Sequence, residues 1–236
     1  CHQVMWDISR APDPRKYVED EIVKDASFVG YGGKAGKKLM VDAFMDEYKK
    51  FARATPDFLT PALWYEPRHL SIPRMLTAAL SHGSWGHLIG NLFFFFAFAA
   101  TVEIILGWWK YILFLTALAV GTALTYSLTS LGVADPRPTL GLSGVVMGVM
   151  GMFAWFLPWG RVRCFIWLVV IFKRINVPAW MLFAWYIGWD LYALNTGEGN
   201  AGVNMVAHVS GGLLGLGLGT VFFRKRKREI LEEIAV

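Results

Sequence analysis

The segment WGHLIGNLFFFFAFAATVEIIL (85–106) decides the fold class of this 236-residue chain. It contains a single charged residue, Glu103. An α-helix of about 20 apolar residues crosses the ~30 Å hydrocarbon core of a bilayer. Backbone N–H and C=O groups find no water in lipid, so a chain is stable there only when these groups pair within the segment. The segment is therefore predicted to be a membrane-spanning helix.

Four more apolar segments of similar length follow it, at about 109–131, 140–159, 177–194 and 202–223. A shorter apolar stretch, CFIWLVVIF (164–172), is bracketed by arginine and lysine and is too short to span. We expect it to lie at the membrane interface or to dip into the bilayer. The predicted fold class is all-α: a polytopic membrane helix bundle with five spans.

The composition agrees with a membrane protein and argues against a nucleic-acid-binding one. Of the residues, 55% are hydrophobic and only 17% are charged, whereas about 25% are charged in an average soluble domain. The net charge is +5, but the basic cluster RKRKRE (224–229) directly follows an apolar segment, as in a cytoplasmic anchor. Cys1 and Cys164 have no partner at a suggestive spacing, so neither a disulfide framework nor a metal site is predicted.

The distribution of basic residues predicts the orientation and the domains. The loops on the same side as the C-terminus contain the basic residues Lys110, Arg161, Arg163, Lys173 and Arg174. Because cytoplasmic loops are enriched in lysine and arginine, the C-terminus is predicted to be cytoplasmic. Residues 1–65 would form a polar region outside, 66–223 the membrane domain and 224–236 a basic tail. We expect a further span upstream to export the polar region, and a bacterial plasma membrane as the location.

Within residues 1–65, apolar side chains recur at helical spacing from Leu39 to Phe51. This spacing predicts an amphipathic helix that lies on the protein surface or on the membrane.

Four polar residues lie where a membrane should not tolerate them: His87, Asn91, Ser143 and His208. A polar group inside a span is costly and is a functional hypothesis by default. In the predicted orientation, Asn91, Ser143 and His208 lie roughly 5 to 9 Å below the outer edge, on three different helices. His87 and Asn91 are four residues apart and so share one helix face.

Glycines on two of these helices predict a close contact between them. They are Gly144, Gly148 and Gly151 on the third span, and Gly211 and Gly215 beside His208 on the fifth. Small residues at such spacing let two helices approach closely. If these two spans pack together, the Ser143 hydroxyl comes within hydrogen-bond reach of His208, as an activated nucleophile and its base. His87 and Asn91 could then donate to an oxyanion.

Each polar residue also has a purely structural interpretation. A serine in a membrane helix commonly donates to its own helix carbonyls, and an intramembrane histidine or asparagine often makes a packing hydrogen bond. Glu103 is predicted to pair with a donor nearer the cytoplasmic side, and Asp190 to reach the interface. The shared level and face of His87, Asn91, Ser143 and His208 favour a functional site.

Three stretches carry a resemblance to a known family. They are GLSG (141–144), AHVSGGLLG (207–215) and RMLTAALSHGSWGHLIGN (74–91). They resemble, in order, the G-x-S-G, A-H-x-x-G-x-x-x-G and R-x-L-T…H-x-x-x-x-H-L-x-x-N motifs of the rhomboid intramembrane serine proteases. The resemblance covers about residues 60–223. One departure is Met147, since many members have an aromatic residue four positions after the serine.

The resemblance implies a serine endopeptidase that cleaves transmembrane helices of single-span membrane proteins. Ser143 would be the nucleophile and His208 the general base, in a dyad without a carboxylate. His87 and Asn91, with the Ser143 backbone N–H, would form the oxyanion hole. Neither a cofactor nor a metal is implied. The family has a six-span core, and the five spans here would match its last five.

Two other functions stay open at this stage. The same fold could hold client helices without cleaving them, and an unactivated serine would then not react with a fluorophosphonate. A small transporter is disfavoured because the polar residues lie near one face rather than at the midplane, and because no helix is visibly broken across its centre.

Overall fold

The computed structural model describes residues 2–11, 13–23, 34–54, 59–134, 136–168, 171–197 and 203–235. The chain divides into two compact units, Cys1–Phe58 and Leu59–Val236. The predicted boundaries at 65 and 223 stay predictions.

The first unit is a small helical cluster. Its elements are α1 (His2–Arg10), α2 (Pro14–Tyr17), a short π-helix (Val18–Ile22) and α3 (Lys34–Ala54). Helix α3 contains the amphipathic segment that the sequence predicts. Met40, Phe44 and Tyr48 of its apolar face pack against a buried cluster within the unit, whereas Leu39 is 61% exposed. Whether this helix lies on the protein surface or on the membrane stays a prediction.

The second unit contains the predicted membrane helices. Its elements are α4 (Leu59–Leu63), α5 (Ile72–Leu80), α6 (Trp85–Leu106), α7 (Trp108–Thr129), α8 (Ser143–Phe156), β1 (Arg161–Leu168), β2 (Ile171–Pro178), α9 (Ala179–Thr196), α10 (Met205–Phe222) and α11 (Arg224–Ala235). The predicted fold class, an all-α membrane helix bundle, is confirmed.

Helices occupy all five predicted positions, but they differ in length and polarity. Among the described residues, α6, α7 and α10 are long and apolar enough to cross a membrane. Helix α9 has 18 residues and is less apolar because it contains Asp190 together with several tryptophans and tyrosines.

Helix α8 is shorter than predicted and lies at the centre of the bundle. The sequence predicts a span over 140–159, whereas the helix has 14 residues, Ser143–Phe156, and is about 21 Å long. It starts late because Gly141 has a φ of 118°, outside the helical region. Twelve of its residues are buried, and α6, α7, α9 and α10 all pack against it. A helix that is apolar on all sides is typical of such a central position.

The short apolar stretch at 164–172 is not a single interfacial or re-entrant segment. It belongs to two antiparallel strands, paired from Arg161 opposite Pro178 to Leu168 opposite Ile171. The β-branched and aromatic residues of this stretch favour extended structure. Pairing of the two strands also gives hydrogen-bond partners to backbone groups that would have none in an isolated extended segment. Whether this hairpin lies at the membrane interface stays a prediction.

Candidate active site

Helices α8 and α10 are in contact through their glycines, as predicted. A Cβ atom added to Gly211 would overlap the carbonyl oxygen of Gly144, and one added to Gly215 would overlap that of Gly148. On the other side of the contact, a Cβ at Gly144 would lie 3.0 Å from the carbonyl oxygen of Ala207. Gly144 follows Ser143 and Ala207 precedes His208 in the chain. The contact therefore brings the chain segments that carry the serine and the histidine together.

Ser143 is the first residue of α8 rather than a residue three positions inside a span. The first hydrogen bond at this end of the helix runs from the Val146 N–H to the Leu142 carbonyl and is 2.9 Å long. The N–H groups before it, including that of Ser143, have no partner within the helix. They lie at the positive end of the helix dipole. A half-buried hydroxyl therefore stands beside backbone donors that could bind a negative oxygen.

His208 has one ring nitrogen bonded and the other free. Nδ1 lies 3.1 Å from Oδ2 of Asp190 on α9. Nε2 is buried and has no hydrogen-bond partner among the described residues. A carboxylate only accepts hydrogen bonds, so this pairing places the proton on Nδ1. In the neutral ring Nε2 then has a free lone pair, as a general base requires.

Asp190 is a member of this cluster that the sequence interpretation did not select. We predict above that it reaches the membrane interface, but it is buried, with 7% of its surface exposed. The dyad implied by the resemblance gave no reason to look for an acid. A signal was nevertheless present, because Asp190 is the only Asp, Glu, Lys or Arg within Ala179–Thr196, and an intramembrane acid is a functional hypothesis by default.

His87 and Asn91 lie against the loop that leads into α8. A Cβ at Gly141 would be 2.8 Å from Nε2 of His87 and 3.8 Å from Nδ2 of Asn91. A side chain at this position would strain the backbone, whose φ is 118°, and would displace the His87 ring. Asn91 is buried, and its Nδ2 donates no hydrogen bond within the described residues. It is a donor available to a ligand near Ser143.

A histidine in the preceding loop supports this corner of the site. The ring of His82 stacks edge-to-face on that of His87, with the centroids 5.0 Å apart. Burial lowers the pKa of His82 from its ordinary value, so this ring is mainly neutral at pH 7. It can therefore pack against His87 without placing a positive charge beside it.

Asn204 connects the two loops that precede α8 and α10. Its Oδ1 accepts from the Ala207 N–H at 3.0 Å and so caps α10. Its Nδ2 donates to Oγ1 of Thr139 at 3.0 Å. Thr139 is held by two 2.9 Å backbone hydrogen bonds to Tyr65. Asn204 is a second residue that the sequence interpretation missed, although an asparagine just before a helix is a recognisable capping signal.

The geometry gives no support to a metal site or to a role for Glu103 among the described residues. Within the part of the chain that the structure describes, no three histidine, cysteine, aspartate or glutamate side chains are grouped so that they could hold a metal ion. Glu103 lies on the exposed side of α6, far along the helix from His87. The arrangement is therefore one of a hydroxyl, an imidazole with a free nitrogen, a carboxylate and several unpaired donors.

The family model described as the Rhomboid domain matches residues 69–225, about two thirds of the chain. No curated protein matches this chain. Proteins with this domain are membrane-embedded, and the family generally consists of intramembrane serine proteases that act on transmembrane substrates. Because the match extends over more than half of its residues, this chain is an integral membrane protein that belongs to the rhomboid family.

Proposed function

We propose that the protein is an intramembrane serine endopeptidase that cleaves the transmembrane helices of single-span membrane proteins. Ser143 is its nucleophile and His208 its general base. The observation that carries the proposal is the glycine contact between α8 and α10. It joins the start of the serine helix to the histidine helix, where Nε2 of His208 is buried without a partner among the described residues.

The proposed reaction proceeds by acyl transfer. Oγ of Ser143 attacks the carbonyl carbon of the scissile peptide while its proton passes to Nε2 of His208. The tetrahedral intermediate collapses when His208 gives that proton to the departing amide nitrogen, which breaks the C–N bond and leaves an ester on Ser143. Water then attacks the ester and gives a proton to His208. His208 returns it to Oγ as the new carboxyl group leaves.

His87 and Asn91 supply the proposed oxyanion hole together with the Ser143 backbone N–H. Both side chains lie against Gly141, two residues before the nucleophile. The Asn91 amide has no other partner among the described residues, so it can donate to the developing charge at no cost to an existing bond. Preorganised donors of this kind are often the largest single contribution to acyl transfer.

The substrate must unwind locally to present a carbonyl group to Ser143, because a helix keeps its carbonyls in its own hydrogen bonds. Small or helix-destabilising residues at the cleavage site should therefore be favoured. We place the site near the outer face of a bacterial plasma membrane, where water can enter, with the C-terminus in the cytoplasm.

The proposal is tested with the full-length protein in detergent and a single-span substrate. Ser143→Ala and His208→Ala should each abolish cleavage. Ser210→Ala is the matched control, since Ser210 lies on the same helix as His208 and donates to the Ala207 carbonyl of its own helix. Undiminished cleavage by either site variant would rule out the assignment.

A non-catalytic protein that holds client helices is the alternative outcome. A fluorophosphonate probe separates the two functions, because it reacts with an activated serine and not with an ordinary hydroxyl. We expect labelling of the wild type and of Ser210→Ala, and none of Ser143→Ala. Absence of labelling and of cleavage in the folded wild type would favour the binding function.

A further inference from the structure

The buried carboxylate of Asp190 is not used by a serine–histidine dyad. Helix α9 has no other Asp, Glu, Lys or Arg over its whole length, Ala179–Thr196. The Asp190 side chain is nevertheless directed into the bundle, where its Oδ2 lies 3.1 Å from Nδ1 of His208 on α10. Burying a carboxylate among apolar helices is unfavourable unless it is strongly hydrogen-bonded. The contact with His208 therefore calls for a specific role.

The hydrogen bond determines which nitrogen of His208 carries the proton. Since a carboxylate has no proton to donate, Nδ1 must be the donor. The lone pair of the neutral ring then lies on Nε2, which is buried and has no partner among the described residues. The same bond fixes the rotation of the ring, because Nδ1 must keep pointing at α9.

We propose that Asp190 is a positioning residue of the active site. It holds His208 in the Nδ1–H tautomer and keeps Nε2 available to the Ser143 hydroxyl. It also stabilises the imidazolium that forms when His208 takes the serine proton, as a buried aspartate does in serine–histidine–aspartate triads. This inference rests on the proposed function and extends its dyad by a third residue.

A purely structural role must be separated from this one, because the same hydrogen bond also links α9 to α10. Asp190→Asn separates them. The amide of asparagine has almost the shape of the carboxylate and can still bond to the ring, but it can donate its own proton to Nδ1. The hydrogen bond between the two helices can then persist while the ring proton moves to Nε2. Nε2 then has no lone pair with which to accept the serine proton. If Asp190 only connects α9 to α10, Asp190→Asn should turn over substrate normally.

The experiment measures kcat and KM for a single-span substrate, thermal unfolding, and the ¹⁵N spectrum of histidine-labelled protein, with His208 assigned by comparison with His208→Gln. For Asp190→Asn we expect kcat to fall by about 100-fold or more, with KM and the unfolding temperature unchanged. The His208 signals should change from the Nδ1–H to the Nε2–H tautomer. Asp190→Glu should recover part of kcat. Glu103→Gln, which neutralises an exposed acid on α6, is the control and should turn over normally.

The possible outcomes distinguish failure of the proposed role of Asp190 from failure of the proposed function. Wild-type kcat in Asp190→Asn, combined with loss of activity in Ser143→Ala, would overturn the role of Asp190 and leave the proposed function intact. Full activity in Ser143→Ala would overturn the proposed function, and with it any role of Asp190 in turnover. An Nε2–H tautomer of His208 in the wild-type protein would refute the positioning role without any variant at position 190.

Discussion

The proposed site contains buried polar atoms that lack a hydrogen-bond partner within the described part of the chain, and two of them belong to residues with a proposed role in the reaction. Nδ2 of Asn91 and Nε2 of His208 have no hydrogen-bond partner among the described residues. A buried polar group without a partner costs about 1–3 kcal/mol, so the fold gains nothing from either atom. A bound substrate would supply the missing partners: an oxyanion for the amide and the serine proton for the imidazole.

This cost leads to a prediction in which activity and stability change in different directions. Asn91→Ala should lower kcat by about 100-fold, because one donor to the oxyanion is lost. The free energy of unfolding should stay the same or increase, because an unsatisfied buried amide is removed. Enzyme assays and thermal unfolding in detergent measure the two effects. Asn176→Ala, at an exposed position on β2, should change neither. A stability loss at Asn91 as large as the catalytic loss would contradict the prediction.

Individual residues also show what the sequence could and could not reveal. Four residues, Ser143, His208, His87 and Asn91, can be predicted because they are polar, share a level within the apolar spans and belong to short motifs. The partner of His208 belongs to no such motif. Asp190 is 18 residues away from His208 and on another helix, so only the packing of α9 against α10 brings the two together.

The contact between α8 and α10 depends on the absence of side chains at four glycines, Gly144, Gly148, Gly211 and Gly215. Glycine normally weakens a helix by about 1 kcal/mol relative to alanine. Here the close approach of two backbones offsets that penalty, since it lets the two helices pack along their length. This contact could be predicted from the sequence because glycine spacing within a helix is a local signal.

Two glycines of α10 make a matched test of this contact. Gly211→Ala would place a methyl group on the carbonyl oxygen of Gly144, so we expect a loss of about 1–3 kcal/mol in unfolding free energy together with a strong loss of cleavage. Gly217→Ala meets no atom within 4 Å and should be neutral or slightly stabilising, because alanine favours helix. Unfolding in detergent and substrate cleavage measure both. Equal unfolding free energies and equal cleavage by the two variants would show that neither stability nor activity depends on the glycine contact.

Other elements were predicted less well, for physical reasons. The sequence predicts a single apolar segment where β1 and β2 lie, because the pairing of two strands leaves no local period within so short a run. The late start of α8 depends on Gly141, whose φ of 118° is compatible with glycine but is not required by it. Apolar periodicity therefore locates the helices, while their ends depend on contacts with neighbouring segments.

The direction of the helices determines which end of the bundle contains the proposed site. The proposed site residues His87, Ser143 and His208 all lie in the first turns of their helices. Because α6, α8 and α10 are each separated by one intervening helix, they enter the bundle from the same end. The basic residues of Arg161–Pro178 and of α11 belong to the opposite end.

This charge distribution predicts that the site opens outward and that the C-terminus is cytoplasmic, because short loops rich in lysine and arginine stay on the cytoplasmic side. Fusion of reporters to the full-length protein in a bacterial host measures the topology. A fluorescent protein fused after Val236 should fold and fluoresce, whereas alkaline phosphatase there should be inactive. Insertion of the same reporters at Gly132, in the loop between α7 and α8, should give the reverse pattern. Active phosphatase at the C-terminus would place Ser143 on the cytoplasmic side, and water would then have to reach the ester from the cytoplasm.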